Sequence, residues 1–178
     1  MAALNYGDGT GDNDSSTTSG YSYTSMLNGS IIETFDGTGD VDTIKLYNLV
    51  SNGRLRIWKG TVSGLVFTFD DFTEDVDVDL TGKGTGWITL NAPADFASFS
   101  VTAATALLFY AHSTTSEGTM FGRGSSGTDK YGYNAADPPY SGDLTMIVGG
   151  VSDQLEVKLE GTLDGGGGGP LPRHQMIL

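Results

Sequence analysis

The run Asp-Gly-Thr-Gly-Asp occurs twice, at residues 8–12 and again at 36–40. Short loops dense in carboxylates are where calcium binds, because that ion takes about six to eight oxygen ligands. The first copy continues into Asn13 and Asp14, so Asp8, Asp12 and Asp14 form one candidate set; Asp36 and Asp40 form another. An EF-hand loop needs glycine at its sixth position and glutamate at its twelfth. Counted from Asp8 the sixth residue is Asn13, and from Asp12 it is Thr17. Turn chemistry fits both copies better. Gly37 and Gly39 can take a positive φ, and Asp36 and Asp40 can bond to nearby backbone. Calcium is the one cofactor left open, and no other is implied.

A second acidic group comprises Asp70, Asp71, Glu74, Asp75, Asp77 and Asp79. Paired carboxylates can act as acid and base in glycoside cleavage. Here, however, Asp75, Asp77 and Asp79 alternate with Val76, Val78 and Leu80, which describes a strand with one solvated face. Arg54, Arg56 and Lys59 are the only tight basic group. Cysteine is absent, so there is no disulfide or thiolate chemistry. Two histidines, His112 and His174, make a poor zinc set without it. No nucleophile elbow of the Gly-x-Ser-x-Gly type accompanies His112. No catalytic residue is assigned, and the chain reads as non-enzymatic.

Two stretches suit recognition. In "KYGYNAADPPYSG" (130–142), Tyr131, Tyr133 and Tyr140 can stack on sugar rings, with Asn134 and Asp137 as polar contacts. In "GGGGGPLPRHQMIL" (165–178), five glycines make a flexible link to an apolar peptide. Exposed Met-Ile-Leu is a liability unless it docks, so Leu171, Met176, Ile177 and Leu178 are expected to anchor an arm on a partner.

These residues need strands to carry them. "DTIKLYNL" alternates through Ile44 and Leu46 and shifts phase near Tyr47; "SNG" then predicts a turn, with "RLRIWKGTV" as the second strand of a hairpin. "SIIETF", "GLVFTFDDF", "EDVDVDL", "GWITL", "ASFSV", "ALLFYAH", "DLTMIV" and "QLEVKLEG" add further short strands, with "GKGTG" as a break. Segments this short, with turn signals about every ten residues, predict an antiparallel sandwich or barrel. Residues 1–25 read as a polar N-terminal arm, 26–161 as the β domain, and 162–178 as a glycine-rich linker with an apolar C-terminal arm.

The formal charge is −13, from nine basic and 22 acidic residues. A surface this acidic repels nucleic acid, and no apolar run approaches a membrane span. The opening "MAALNYGDGTGDND" lacks the basic start and apolar core of a Sec signal, so cytoplasmic synthesis without export by that route is expected.

From "DVDTIKLYNLVSNGRLRIWKG" to "GTGWITLNAPADFASFSVTAATALLFYAHSTTSEG" the order of features resembles a group of jelly-roll β-sandwich domains that recur in bacteriophage virion and tail proteins and in bacterial surface proteins. The features are Ile44, Leu46 and Tyr47, then Gly86 and Trp87, Pro93, and Leu108 to Tyr110, over roughly residues 30–150. "TAATALLFY" departs from the pattern by lacking the usual turn glycine. The resemblance implies no catalytic residue and no common ligand. With it, the expected fold is all-β, an antiparallel jelly-roll-like β-sandwich with extended N- and C-terminal arms. The expected function is a structural virion protein, foremost a phage capsid decoration or head-tail accessory protein at a virion surface or extracellular assembly. Its partners would be other assembly subunits, including copies of itself. A carbohydrate-binding module or receptor-binding tip using the tyrosine loop is the alternative.

Overall fold

The computed structural model describes residues 3–6, 25–27, 35, 37–48, 53–112, 123–124, 132–134, 138–148, 154–155 and 157–164. These residues form antiparallel β-sheets, with no helix among them. The strands are β1 (Ala3–Tyr6), β2 (Ser25–Leu27), β3 (Gly39–Asn48), β4 (Arg54–Ser63) and β5 (Val66–Phe69). Next come β6 (Val76–Asp79), β7 (Gly86–Asn91), β8 (Phe99–Val101), β9 (Ala106–His112) and β10 (Arg123–Gly124). The last are β11 (Gly132–Asn134), β12 (Leu144–Thr145), β13 (Ile147–Val148), β14 (Gln154–Leu155) and β15 (Val157–Leu163). β10 and β14 pair only with each other.

The first sheet runs β1-β15-β3-β7, and β8 continues the β7 side along the start of β3. Ile44, Leu46 and Asn48 are all buried, so alternation in β3 holds through Tyr47. The expected phase shift lies earlier. Glu160 pairs with Thr43 while Gly161 pairs with Val41, which leaves Asp42 as the extra residue of a bulge. The bulge puts Val41 on the buried side with Ile44, although the two differ by an odd number of positions. Sequence periodicity misplaced the shift because Asn48 occupies an inward position. Its Nδ2 donates to the Gly84 carbonyl at 2.7 Å and ties down the loop before β7.

The second sheet runs β12-β5-β4-β9-β2-β11-β13, with β6 pairing the first half of β4. β12 and β13 stand at opposite ends of this path, yet only Met146 separates them in the chain. The sheet must therefore curl until its two edges meet along residues 144–148. The Met146 amide helps close that seam by donating to the Leu65 carbonyl at 2.6 Å.

β3 and β4 belong to different sheets, which corrects the expected hairpin between them. Both are strands, as expected, but they do not pair with each other. The tight hairpin is β4–β5. Ser63 pairs with Val66 across Gly64 and Leu65, and Gly64 has a φ of 61°. A left-handed residue there suits glycine and matches the twist of paired strands.

The middle of β4, at Ile57 and Trp58, and β9 from Ala106 to Tyr110 are buried on both faces. Leu55, Ile57, Leu107 and Phe109 face a core shared with the first sheet, where they meet Ile44, Leu46, Leu90 and Leu159. Trp58, Ala106, Leu108 and Tyr110 face a second core inside the curl, with Phe67, Phe69, Tyr140, Leu144 and Met146. The near-continuous apolar run "ALLFYA" follows from this position, since a strand covered on both sides has no solvent face to spend on polar residues.

The outer segments also differ from expectation. Ala3–Tyr6 pairs with β15 and Ser25–Leu27 with β9 and β11, so parts of residues 1–25 are sheet strands. β15 extends through Leu163, which packs on the first core, and the Asp164 amide donates to the Thr38 carbonyl. Thr162 and Leu163 thus belong to the sheet instead of the linker. Of the "SIIETF" strand only Phe35 lies within the described residues, and it is buried.

Candidate functional site

The two charge clusters seen in the sequence meet on adjacent strands. β4 and β6 pair so that Arg54 stands opposite Asp79 and Arg56 opposite Asp77. Arg54 grips Asp77 with two hydrogen bonds, Nε to Oδ1 and Nη2 to Oδ2, the second at 2.7 Å. Arg56 lies 3.5 Å from Asp77 and 3.6 Å from Glu74, close enough for charge but longer than a hydrogen bond. Lys59 pairs with Asp75 at 3.1 Å, while the Asp75 carboxylate also accepts from the Lys59 amide at 2.9 Å. The Arg54 hydrogen bond, more than its charge, holds the Asp77 carboxyl below the ordinary range. Asp75 and Asp77 are committed to neighbouring cations and Asp79 accepts from the Thr81 amide at 2.8 Å, with Val76 and Val78 inward as the alternation predicts.

The calcium candidates divide. Asp8, Asp12, Asp14 and Asp36 lie outside the described residues. Asp40 is in β3, where its Oδ1 accepts from the Ser100 hydroxyl at 2.6 Å. Among the described residues no group of three or more His, Cys, Asp or Glu side chains gathers as metal ligands. The second Asp-Gly-Thr-Gly-Asp run bends at Gly37 and Thr38 and then enters β3. Neither of its glycines is left-handed. A Cβ on Gly39 would instead overlap the Thr162 carbonyl oxygen of β15. The glycine allows close strand approach; it is not there for a positive φ.

The tyrosine loop divides too. Tyr131 and Asp137 lie outside the described residues. Tyr133 and Asn134 are in β11, with Tyr133 in register with both Met26 and Ile147. Tyr140 is buried in the second core, its ring 5.0 Å from that of Trp58 and 5.1 Å from that of Phe69. That ring is covered by protein, which corrects its assignment as an exposed stacking platform. His112 is in β9 opposite Arg54. The arm anchors Leu171, Met176, Ile177 and Leu178 lie outside the described residues.

An open cleft of about 250 Å³ lies between β4 and the β8–β9 turn, lined by Thr38, Lys59, Thr61, Asp70, Ser100 and Thr105. Its amine is already engaged, since Lys59 Nζ donates to the Ser100 carbonyl as well as pairing with Asp75.

The surface feature that sequence reasoning missed lies at the seam. Leu65, Val66 and Ile147 are 40%, 36% and 57% exposed, three of the five large apolar side chains exposed among the described residues. Val66 pairs with Thr145, and the Leu65 carbonyl holds the Met146 amide, so the three stand together where the curl closes. Phe67 and Met146, their chain neighbours, point inward. A signal was available: "VF" and "MI" place two apolar residues in succession, and a strand with one buried face must turn one of them out. Phe72 and Trp87 are the other two, with the Phe72 carbonyl accepting from Trp58 Nε1 at 3.3 Å. No protein-family model, curated protein or solved structure matches this chain.

Proposed function

We propose that this chain is a structural, non-enzymatic assembly subunit, foremost a phage capsid decoration or head-tail accessory protein. It docks onto neighbouring subunits, including copies of itself, through an apolar arm containing Leu171, Met176, Ile177 and Leu178. The fold that goes with this reading is a jelly-roll-like β-sandwich with extended arms, supported by two sheets that share one core. The observation that carries the reading is the apolar group Leu65, Val66 and Ile147, exposed together on a chain of formal charge −13. Grouped exposed apolar side chains mark contact surfaces. Arms that each deliver a few apolar anchors gain avidity when many copies share a lattice.

The test is light scattering over a concentration series, comparing the full chain with one ending at Asp164. Self-association of the full chain, lost on truncation, is the expected result. If the two behave alike, the arm is not an assembly device. Glycan-array binding that disappears in Tyr131→Ala and Tyr133→Ala would then favour the carbohydrate-binding alternative, which no longer has Tyr140 as a platform.

A further inference from the structure

We infer that, in the free subunit, the apolar arm sits on its own seam: residues 171–178 cover Leu65, Val66 and Ile147 of the same chain. The inference deepens the assembly reading and rests on it for its meaning, because it gives the docking arm a resting place before it meets a neighbour.

Size comes first. A stable interface between domains needs about 20–30 residues a side, whereas the seam exposes three large apolar side chains. A short peptide with a few apolar residues fits that surface, and "PLPRHQMIL" is one.

Reach comes second. β15 leads out at Leu163 and Asp164, where the Asp164 amide bonds to Thr38. Thr38 lines the same cleft as Thr61 of β4, two residues before the β4–β5 hairpin that presents Leu65. The chain therefore leaves β15 beside the cleft from which β4 runs on to Leu65. The residues that bridge before Arg173 docks, 165–172, span at most about 28 Å when extended, the reach available for that path. A short flexible tether of this kind presents its ligand at an effective concentration of order millimolar, which favours the chain's own seam over a neighbour's in dilute solution.

Charge comes third. Asp143, Thr145 and Ile147 are exposed in succession on one row, with Leu144 and Met146 inward. Asp143 precedes Ile147 by four residues, as Arg173 precedes Ile177. An extended arm laid along the row brings Arg173 to Asp143 when Ile177 reaches Ile147, both intervals being about 13 Å.

The experiment uses the full chain with a photo-crosslinking amino acid at Ile147 and, in a second variant, at Leu65. Light and isotopically heavy chains are mixed at low concentration, and the crosslinked peptides are mapped by mass. The expected result is a link to residues 171–178 of the same chain. Its yield should fall more than about tenfold when Met176, Ile177 and Leu178 are replaced by serine. Light–heavy links to the arm would overturn own-chain docking while supporting the assembly reading. Links elsewhere, or none from either probe, would overturn the inference and leave the assembly reading to the light-scattering result.

Discussion

Asp77 takes two hydrogen bonds from Arg54 and lies within charge range of Arg56, so its ionised form is stabilised in the fold. Hydrogen bonding from Lys83, and then from the Asn91 amide, lowers Asp95 in the same way. Lys158, followed by Lys45, lowers Glu160. A carboxyl depressed in the folded state contributes stability that is fully present above its unfolded pKa, near 4, and lost as pH falls through the folded value. Denaturant midpoints should therefore hold from about pH 7 to 5 and drop below about pH 4. A midpoint that rises on acidification would contradict these pairings. Asp77→Asn should flatten the acid slope while costing no more than about 1 kcal/mol at neutral pH, because the pair is largely solvent-screened. The pairing itself was legible in part. The sequence displayed an acidic strand, with Asp75, Asp77 and Asp79 on one face, and a basic strand, with Arg54 and Arg56 on one face. That the two strands are neighbours depends on the chain looping out through "DDFTED" and rejoining β4 in the direction in which β5 left it, which periodicity does not specify.

At the scale of elements, the β3–β15 pair depends on two glycines that face backbone. A Cβ on Gly161 would overlap the Asp40 carbonyl oxygen and lie 3.0 Å from the Val41 Cα, at the bulge that resets the register. Gly161→Ala must push the strands apart, and a loss of about 1–3 kcal/mol is expected, as for overpacking in a tight interior. Gly142→Ala is the control, since its Cβ would meet nothing within 4 Å. Thermal melts of both variants check this, and equal Tm values would show that the β3–β15 approach is not tight. The two copies of Asp-Gly-Thr-Gly-Asp looked alike as sequence, yet the role of Gly39 comes from a strand more than 120 residues away. By contrast, the break at "GKGTG" was legible. Gly82, Gly84 and Gly86 have φ of 78°, 87° and 88°, so this alternating run, like Gly64 in the β4–β5 hairpin, uses left-handed turn chemistry.

At the scale of the whole molecule, β4 and β9 are walls of both cores, so neither core can melt without exposing the other. Ile57 faces the first core and Trp58 the second, one residue apart. Ile57→Ala should cost about 2–5 kcal/mol and Trp58→Ala about 3–5 kcal/mol. Each should lower the midpoint of one common transition. In a Trp87→Phe background, Trp58 is the remaining tryptophan. Its fluorescence should then follow the same urea curve as far-UV circular dichroism in the Ile57→Ala variant. Separated curves would mean that the curled half unfolds independently of the shared core.

Strand identity was determined by the sequence, because alternation, β-branched and aromatic content and glycine-rich turns act locally. Val76 to Asp79, Ile88 to Leu90 and the run from Ala106 to Tyr110 could be read directly. Which strands pair was decided only in three dimensions. A hairpin and a crossover between sheets begin with the same turn signal, and the strands on either side of "SNG", β3 and β4, lie in different sheets. The seam was decided there too. "DLTMIV" is one apolar stretch in sequence, but its two halves close opposite edges of a curled sheet. Closure turns Met146 inward and leaves Ile147 outward, because the outcome depends on where the sheet's edges meet and not on the preference of either residue.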